Sequence, residues 1–369
     1  MRFKYLCSLM VAALVSNSFA HYVPDAEYAV SNAVTLEFSV ERTGPVRAPA
    51  RISLAPGQGV SGQGFWKFVA ARELMPVPPS IASVTNAHGT IIVDRDAGIA
   101  YWGLQGVGWI GFSNDLRSSW IVAGNPAFTN GNLHGADILP QHRARPRIAV
   151  ADNLAGKVYL SDTTFQEVET LEPPNFGTYA TNRTFRPTDV AFAGAKELWI
   201  VDGYGQQRFL PANVKPFEWQ GEHYGRGKRF SMTLHGVTYN PTKDDLLFSA
   251  RPEGQLKRVN RESRRALDVI GLPAGTLLCD VDLWGDYALA ACLEGPGKSP
   301  GPIYIINLKK RAIVSTLKPK DELGYEDAQH IHDAAWYVTR RGGRAEVYVL
   351  FTNWNPGGIG ALRLVNIPD

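Results

Sequence analysis

The sequence predicts an all-β fold, a six-bladed β-propeller with an irregular N-terminal segment. Three observations lead there. The 369 residues include 36 Gly, 24 Pro, 9 Trp, 14 Tyr and 16 Phe, a composition rich in turn formers and aromatics, and long helical patterns are few. One phrase recurs about every fifty residues: a polar or His/Asp punctuation, an apolar strand of four to six residues, a turn, then two further strands. A small antiparallel sheet cannot bury both of its faces alone, so repeats of this size stack as blades around an axis.

Residues 1–20, MRFKYLCSLMVAALVSNSFA, carry Arg2 and Lys4, an apolar run, and small residues at Ser18 and Ala20. This is the layout of a cleavable signal peptide, so the mature chain is expected to start at His21 and to be secreted, extracellular or periplasmic. No later run approaches the roughly 18 apolar residues of a spanning helix, and no membrane association is expected. Residues 21–80 are less regular. AVTLEFSV (33–40) reads as a strand and MPVPPS (75–80) as linker, and the segment either closes the ring or caps one end.

Residues 81–369 hold the six repeats, which begin near Ala82, Leu133, Pro187, Leu234, Leu278 and Ile331. The formal net charge of +3 is spread along the chain, with no basic stripe, so no nucleic-acid partner is expected. Phosphate-cradling loops and nucleophile elbows are absent from the sequence.

Three histidines open strands in similar phrases: NLHGADIL around His134, TLHGVTYN around His235 and HIHDAAWY around His332. They belong to the second, fourth and sixth repeats, and alternate blades of six stand about 120° apart. Three imidazoles pointing at the axis with one position open are what a catalytic Zn²⁺ requires. The alternative is a set of channel-lining polar residues bridged by water. The other histidines, His21, His88, His142, His223 and His330, lack this register and read as surface or turn residues. Asp333, beside His332, reads either as a carboxylate supporting the site, as a ligand of a separate hard cation such as Ca²⁺, or as a strand-end cap.

Cys7 falls in the signal, leaving Cys279 and Cys292 on either side of DVDLWGDYALAA. A two-residue turn at Gly285-Asp286 would set the two cysteines opposite each other at a non-hydrogen-bonded pair, close enough for a disulfide. Two buried thiols are the alternative.

These residues resemble a family. PTDVAF…LWIVDGYGQQR, with LHGADI before it and LHGVTY and IHDAAW after, is similar to the peptidyl-α-hydroxyglycine α-amidating lyases, over about Thr85 to the C-terminus and weakly in the fifth repeat. The resemblance implies a six-bladed propeller with zinc on His134, His235 and His332, Tyr204 as catalytic tyrosine and Arg95 as the arginine supporting it. It also implies a structural calcium at Asp333 and the Ala136 carbonyl. The chain departs from the family in having Gly205 where a disulfide cysteine follows the tyrosine, and Asp94 where a histidine often precedes the arginine. The same alignment sets Cys279 at the ring position of the histidines, facing the channel instead of Cys292.

Zinc, a tyrosine and an arginine suit a carbinolamide substrate, a small molecule or peptide with an α-hydroxyglycine-type end, split into an amide and glyoxylate without a redox cofactor. A monomer is expected. Aside from the resemblance, Tyr204 also reads as a turn residue packed at a strand end. A second reading is a non-catalytic secreted propeller that binds a protein or glycan through aromatic loops such as EPPNFGTYATNRTF. A third, copper bound by an N-terminal His21, lacks a further well-placed histidine. Asn182-Arg183-Thr184 fits a glycosylation acceptor.

Overall fold

The computed structural model describes residues 54, 57–85, 87–141, 144–225, 230–341 and 344–365. The expected signal peptide, the strand expected at 33–40, His21 and His142 lie outside the described residues.

Two short strands come first, β1 (Ser61–Gln63) and β2 (Trp66–Ala70). Blade I follows as β3 (Ile91–Asp94), β4 (Ile99–Leu104), β5 (Gly108–Phe112) and β6 (Ser119–Val122). A short helix, α1 (Pro126–Asn130), leads to blade II: β7 (Leu133–Leu139), β8 (Arg147–Asp152), β9 (Lys157–Asp162) and β10 (Glu169–Leu171). Blade III is β11 (Asp189–Phe192), β12 (Glu197–Asp202), β13 (Arg208–Val214) and β14 (Phe217–Trp219). Blade IV is β15 (Leu234–Asn240), β16 (Asp245–Ala250), β17 (Gln255–Asn260) and β18 (Ala266–Gly271). Blade V is β19 (Leu277–Trp284), β20 (Tyr287–Glu294), β21 (Ile303–Asn307) and β22 (Ala312–Leu317). The last blade has β23 (Ile331–Arg341), β24 (Arg344–Asn353) and β25 (Gly358–Leu364).

Each sheet is antiparallel and follows chain order, except the last, whose order β1-β2-β25-β24-β23 brings the N-terminal strands onto the C-terminal ones. The ring is therefore closed by residues 61–70, which answers the open choice between closure and capping. Trp66 of β2 packs against Trp336 at 5.3 Å and Trp284 at 6.3 Å, so the joint is also an aromatic core between blades V and VI.

The second strands read as continuous apolar runs, such as LWIV in β12 and LLF in β16, because both faces of each blade are covered by neighbouring blades. Carboxylates tie the inner strands of successive blades. Asp137 accepts Phe192 N–H, Asp189 accepts Val237 N–H, Asp282 accepts Trp336 N–H and Asp333 accepts Ile91 N–H, all at 2.6–2.7 Å.

Candidate metal centre

The innermost strands β7, β15 and β23 each carry a bulge at their first turn, and the bulged residue is His134, His235 or His332. The preceding residue, Leu133, Leu234 or Ile331, is wholly buried in the core. A bulge breaks the two-residue alternation, so the next side chain is turned out of the blade and into the channel. The glycines after His134 and His235 are needed for space. A Cβ on Gly135 would collide with the Asp189 carboxylate, and one on Gly236 with that of Asp280.

The three histidines meet. Their ring centroids are 4.7, 4.7 and 4.9 Å apart, and their candidate ligand nitrogens lie within 4.8 Å of one another. All are buried, which holds each imidazole well below its usual pKa and therefore neutral. His134 donates Nδ1–H to Thr188 O at 2.7 Å and His235 donates Nδ1–H to Cys279 O at 3.0 Å, leaving both Nε2 lone pairs facing the axis. Nε2 of His134 and both ring nitrogens of His332 have no hydrogen-bond partner. Neutral imidazoles with converging lone pairs, those of His134 and His332 without a hydrogen-bond partner, fit a divalent transition metal such as zinc.

Tyr204 sits over one edge of this triad. Its hydroxyl is 3.0 Å from His235 Nε2 and its ring 5.2 Å from that of His134. The loop that carries it is anchored by the buried Asp202, which accepts Arg186 N–H and Tyr179 O–H, both at 2.7 Å, and Gln206 N–H at 2.5 Å. Gly205 is required there because a Cβ would strike the same carboxylate.

Arg95 is not the arginine beside Tyr204. It follows β3 at the far end of the channel, where it donates to Leu283 O at 3.0 Å and faces Asp282 at 3.5 Å. Arg251, which directly follows β16, takes the expected place and donates to the Tyr204 hydroxyl at 3.1 Å. Among the described residues no carboxylate pairs with Arg251, and its Nε has no partner. Burial raises the Tyr204 pKa, with Arg251 opposing, so the phenol is protonated at neutral pH.

The disulfide expected between Cys279 and Cys292 is absent, and both are free buried thiols. The turn at Gly285 forms as anticipated, and the register it sets holds from Trp284↔Tyr287 to Asp280↔Ala291. A bulge at Cys279 then pairs Cys292 with Leu278 and sends the Cys279 thiol into the channel, 3.2 Å from Arg251. This is the same bulge that presents each histidine.

One histidine read as a surface or turn residue belongs to the site. His88 stacks on His134 at 5.5 Å and on Trp354 at 5.0 Å, and meets His332 edge-on at 5.2 Å. Burial, then the Arg251 charge, lowers its pKa to about 4. His88-Gly89 ahead of the IIVD strand looks like the His-Gly of two of the three phrases, but Gly89 and not His88 stands at the ring position of those histidines.

Beneath the histidines lies a pocket of about 10 Å³ bounded on its lower side by Asp189, Asp280 and Asp333. Below that, a cavity of about 360 Å³ opens at the opposite mouth and is lined by the same carboxylates with Asp137, Asp282, Ala136 and Arg95. Burial, then the charge of the neighbouring Asp333, raises the pKa of Asp280 well above the carboxylate range. Asp333 and Ala136 thus do line one region of the channel.

No family model and no curated protein matches the chain. Among solved structures, a chain of the crystal structure of the nidogen/laminin complex aligns with a TM-score of 0.49 and 10% identity, covering 75% of this chain and 98% of that one. Sqt1 of Saccharomyces cerevisiae aligns with a TM-score of 0.45 and 8% identity, covering 75% and 70%. The likeness to the amidating lyases has no counterpart among these matches, and the propeller assignment rests on the chain's own strand pairing.

Proposed function

We propose that the protein is a zinc-dependent lyase that cleaves the C–N bond of an N-acyl carbinolamide, with peptidyl-α-hydroxyglycine as the reference substrate. The observation that carries this reading is the convergence of three neutral imidazoles beside a tyrosine hydroxyl bonded to an arginine that has no carboxylate partner among the described residues. A zinc ion held by His134, His235 and His332 would supply a Lewis acid that lowers the pKa of a hydroxyl set against it. In the cleavage, the substrate hydroxyl loses its proton as the carbonyl forms, and the amide nitrogen gains one as the C–N bond breaks. Tyr204 is the group within reach to pass that proton, and Arg251 steadies its phenolate when the proton is away. Among the described residues the guanidinium has no carboxylate of its own and its Nε has no partner, which suits an anionic substrate end.

Two further elements belong to the same proposal. Calcium at Asp333 and the Ala136 carbonyl is supported by the buried carboxylates around the lower cavity. Export rests on residues 1–20; among the described residues no helix is long and apolar enough to cross a membrane.

Zinc content of the purified protein beside a His235→Ala control tests the metal, and glyoxylate release from an α-hydroxyhippurate-type substrate tests the reaction. One zinc per wild-type chain, none in the variant, and glyoxylate formed only with zinc support the reading. A zinc-free wild type that stays inactive after zinc addition overturns it. That result would favour the second reading, a binding propeller, for which the exposed Trp120 and Ile121 on edge strand β6 are the specific observation.

A further inference from the structure

The threefold arrangement is broken at one histidine. His134 and His235 are each tethered by Nδ1 to the backbone carbonyl at the ring position of the next blade, Thr188 O in blade III and Cys279 O in blade V. For His332 the next blade is blade I. Asp333 holds Ile91 N–H as Asp189 holds Val237 N–H, and Gly89 precedes Ile91 by two residues as His235 precedes Val237. The corresponding carbonyl is therefore Gly89 O.

That carbonyl is already engaged, because Thr352 Oγ1 donates to it at 3.1 Å. Among the described residues no other side chain donates to the carbonyls of Thr188 and Cys279. Ala151 stands opposite Gly135 in blade II, and in blade IV the corresponding Ser249 has a hydroxyl without a partner. Among the described residues His332 has no hydrogen bond at either ring nitrogen, so it lacks the tether that its two equivalents have. Residue 88, immediately before the occupied carbonyl, supplies a ring edge-on to His332 at 5.2 Å, itself wedged between His134 and Trp354.

We infer that His88 is the positioning residue of the candidate metal centre, holding the untethered His332 by ring packing where its partners are held by backbone carbonyls. The inference rests on the metal reading above. A metal-ligating histidine depends on such a second partner for its orientation, and losing one costs about 10-fold in metal affinity. An edge-to-face ring contact is worth a comparable factor, up to about 10-fold.

The test measures zinc dissociation constants by competition with a chromophoric chelator, for wild type, His88→Ala and His88→Phe, with circular dichroism as the fold control. His88→Ala is expected to bind zinc about 10-fold more weakly at unchanged secondary structure. His88→Phe keeps the ring and is expected to stay within about threefold of wild type. Equal affinity of wild type and His88→Ala overturns the inference. A His88→Phe variant as weak as His88→Ala also overturns it, since a nitrogen of His88 would then be what matters. Failure of the wild type itself to bind zinc removes the metal reading and this inference with it, a pattern distinct from either of the others.

Discussion

The Tyr204 hydroxyl and the Arg251 guanidinium are joined at 3.1 Å, with the same hydroxyl 3.0 Å from Nε2 of His235. This makes Tyr204 the group that links the charged residue to the histidine cluster. Tyr204→Phe is expected to retain zinc while lowering turnover of the carbinolamide by about 10² to 10⁴, the usual range for a lost acid–base group. Steady-state kinetics beside metal analysis checks this; full activity in the variant would remove Tyr204 from the chemistry.

Position along the channel separates two arginines. Arg251→Gln should lower kcat/KM by at least about 10²-fold, since a charge-assisted bond to the Tyr204 hydroxyl is lost. Arg95→Gln, at the opposite mouth beside Asp282, should leave kcat/KM within about threefold, because exposed ion pairs contribute little. The reverse order of effects would return the role to Arg95.

The two remaining cysteines are separate thiols. Titration of the denatured chain from His21 onward with a thiol reagent should count both Cys279 and Cys292 without prior reduction. A count of zero before reduction and two after would show a bridge that the bulge at Cys279 disfavours.

Freeing the Gly89 carbonyl should restore the missing tether. Thr352→Val removes the competing hydroxyl with little change of volume, and the His332 Nδ1–H then has the partner its equivalents enjoy. Zinc affinity is expected to rise by up to about 10-fold. Unchanged or weaker binding in a competition titration would argue against this carbonyl as the missing partner.

The channel carboxylates set a pH dependence. Burial pushes Asp137 up to about 6, so the folded state binds a proton that the unfolded chain releases near pH 4. That stabilising contribution is complete below about pH 4 and is lost as pH rises through about 6. Asp137→Asn stays neutral throughout. Relative to wild type in chelator, it should gain roughly 3 kcal/mol between pH 4 and pH 7.5, read as a rising difference in melting temperature. A difference that is flat or falls over this window would contradict the assignment.

Much of the fold was legible because a propeller repeats its period. The Gly285 turn and the Leu-His-Gly phrases are local features, and each has a local physical cause in a tight hairpin or a bulge. The parts that were missed depend on direction and register. β3 runs away from the histidines, so Arg95 at its end reaches the far mouth. The second strands β12 and β16 run back, and the loops after them deliver Tyr204 and Arg251 to the site. His88 lies one residue out of register with the ring, which Gly89 occupies, so equal spacing could not select it.

By itself the sequence determined the six-sheet wheel, the apolar strands and the three histidines that face its axis, since these follow from periodicity and from the alternation that a bulge interrupts. Only the tertiary structure decided which arginine meets Tyr204, that Cys279 faces the channel, and that Thr352 takes the carbonyl His332 would use. Those are contacts across more than one blade, and their partners are chosen by the relative height of neighbouring strands around the ring, which no local pattern of residues records.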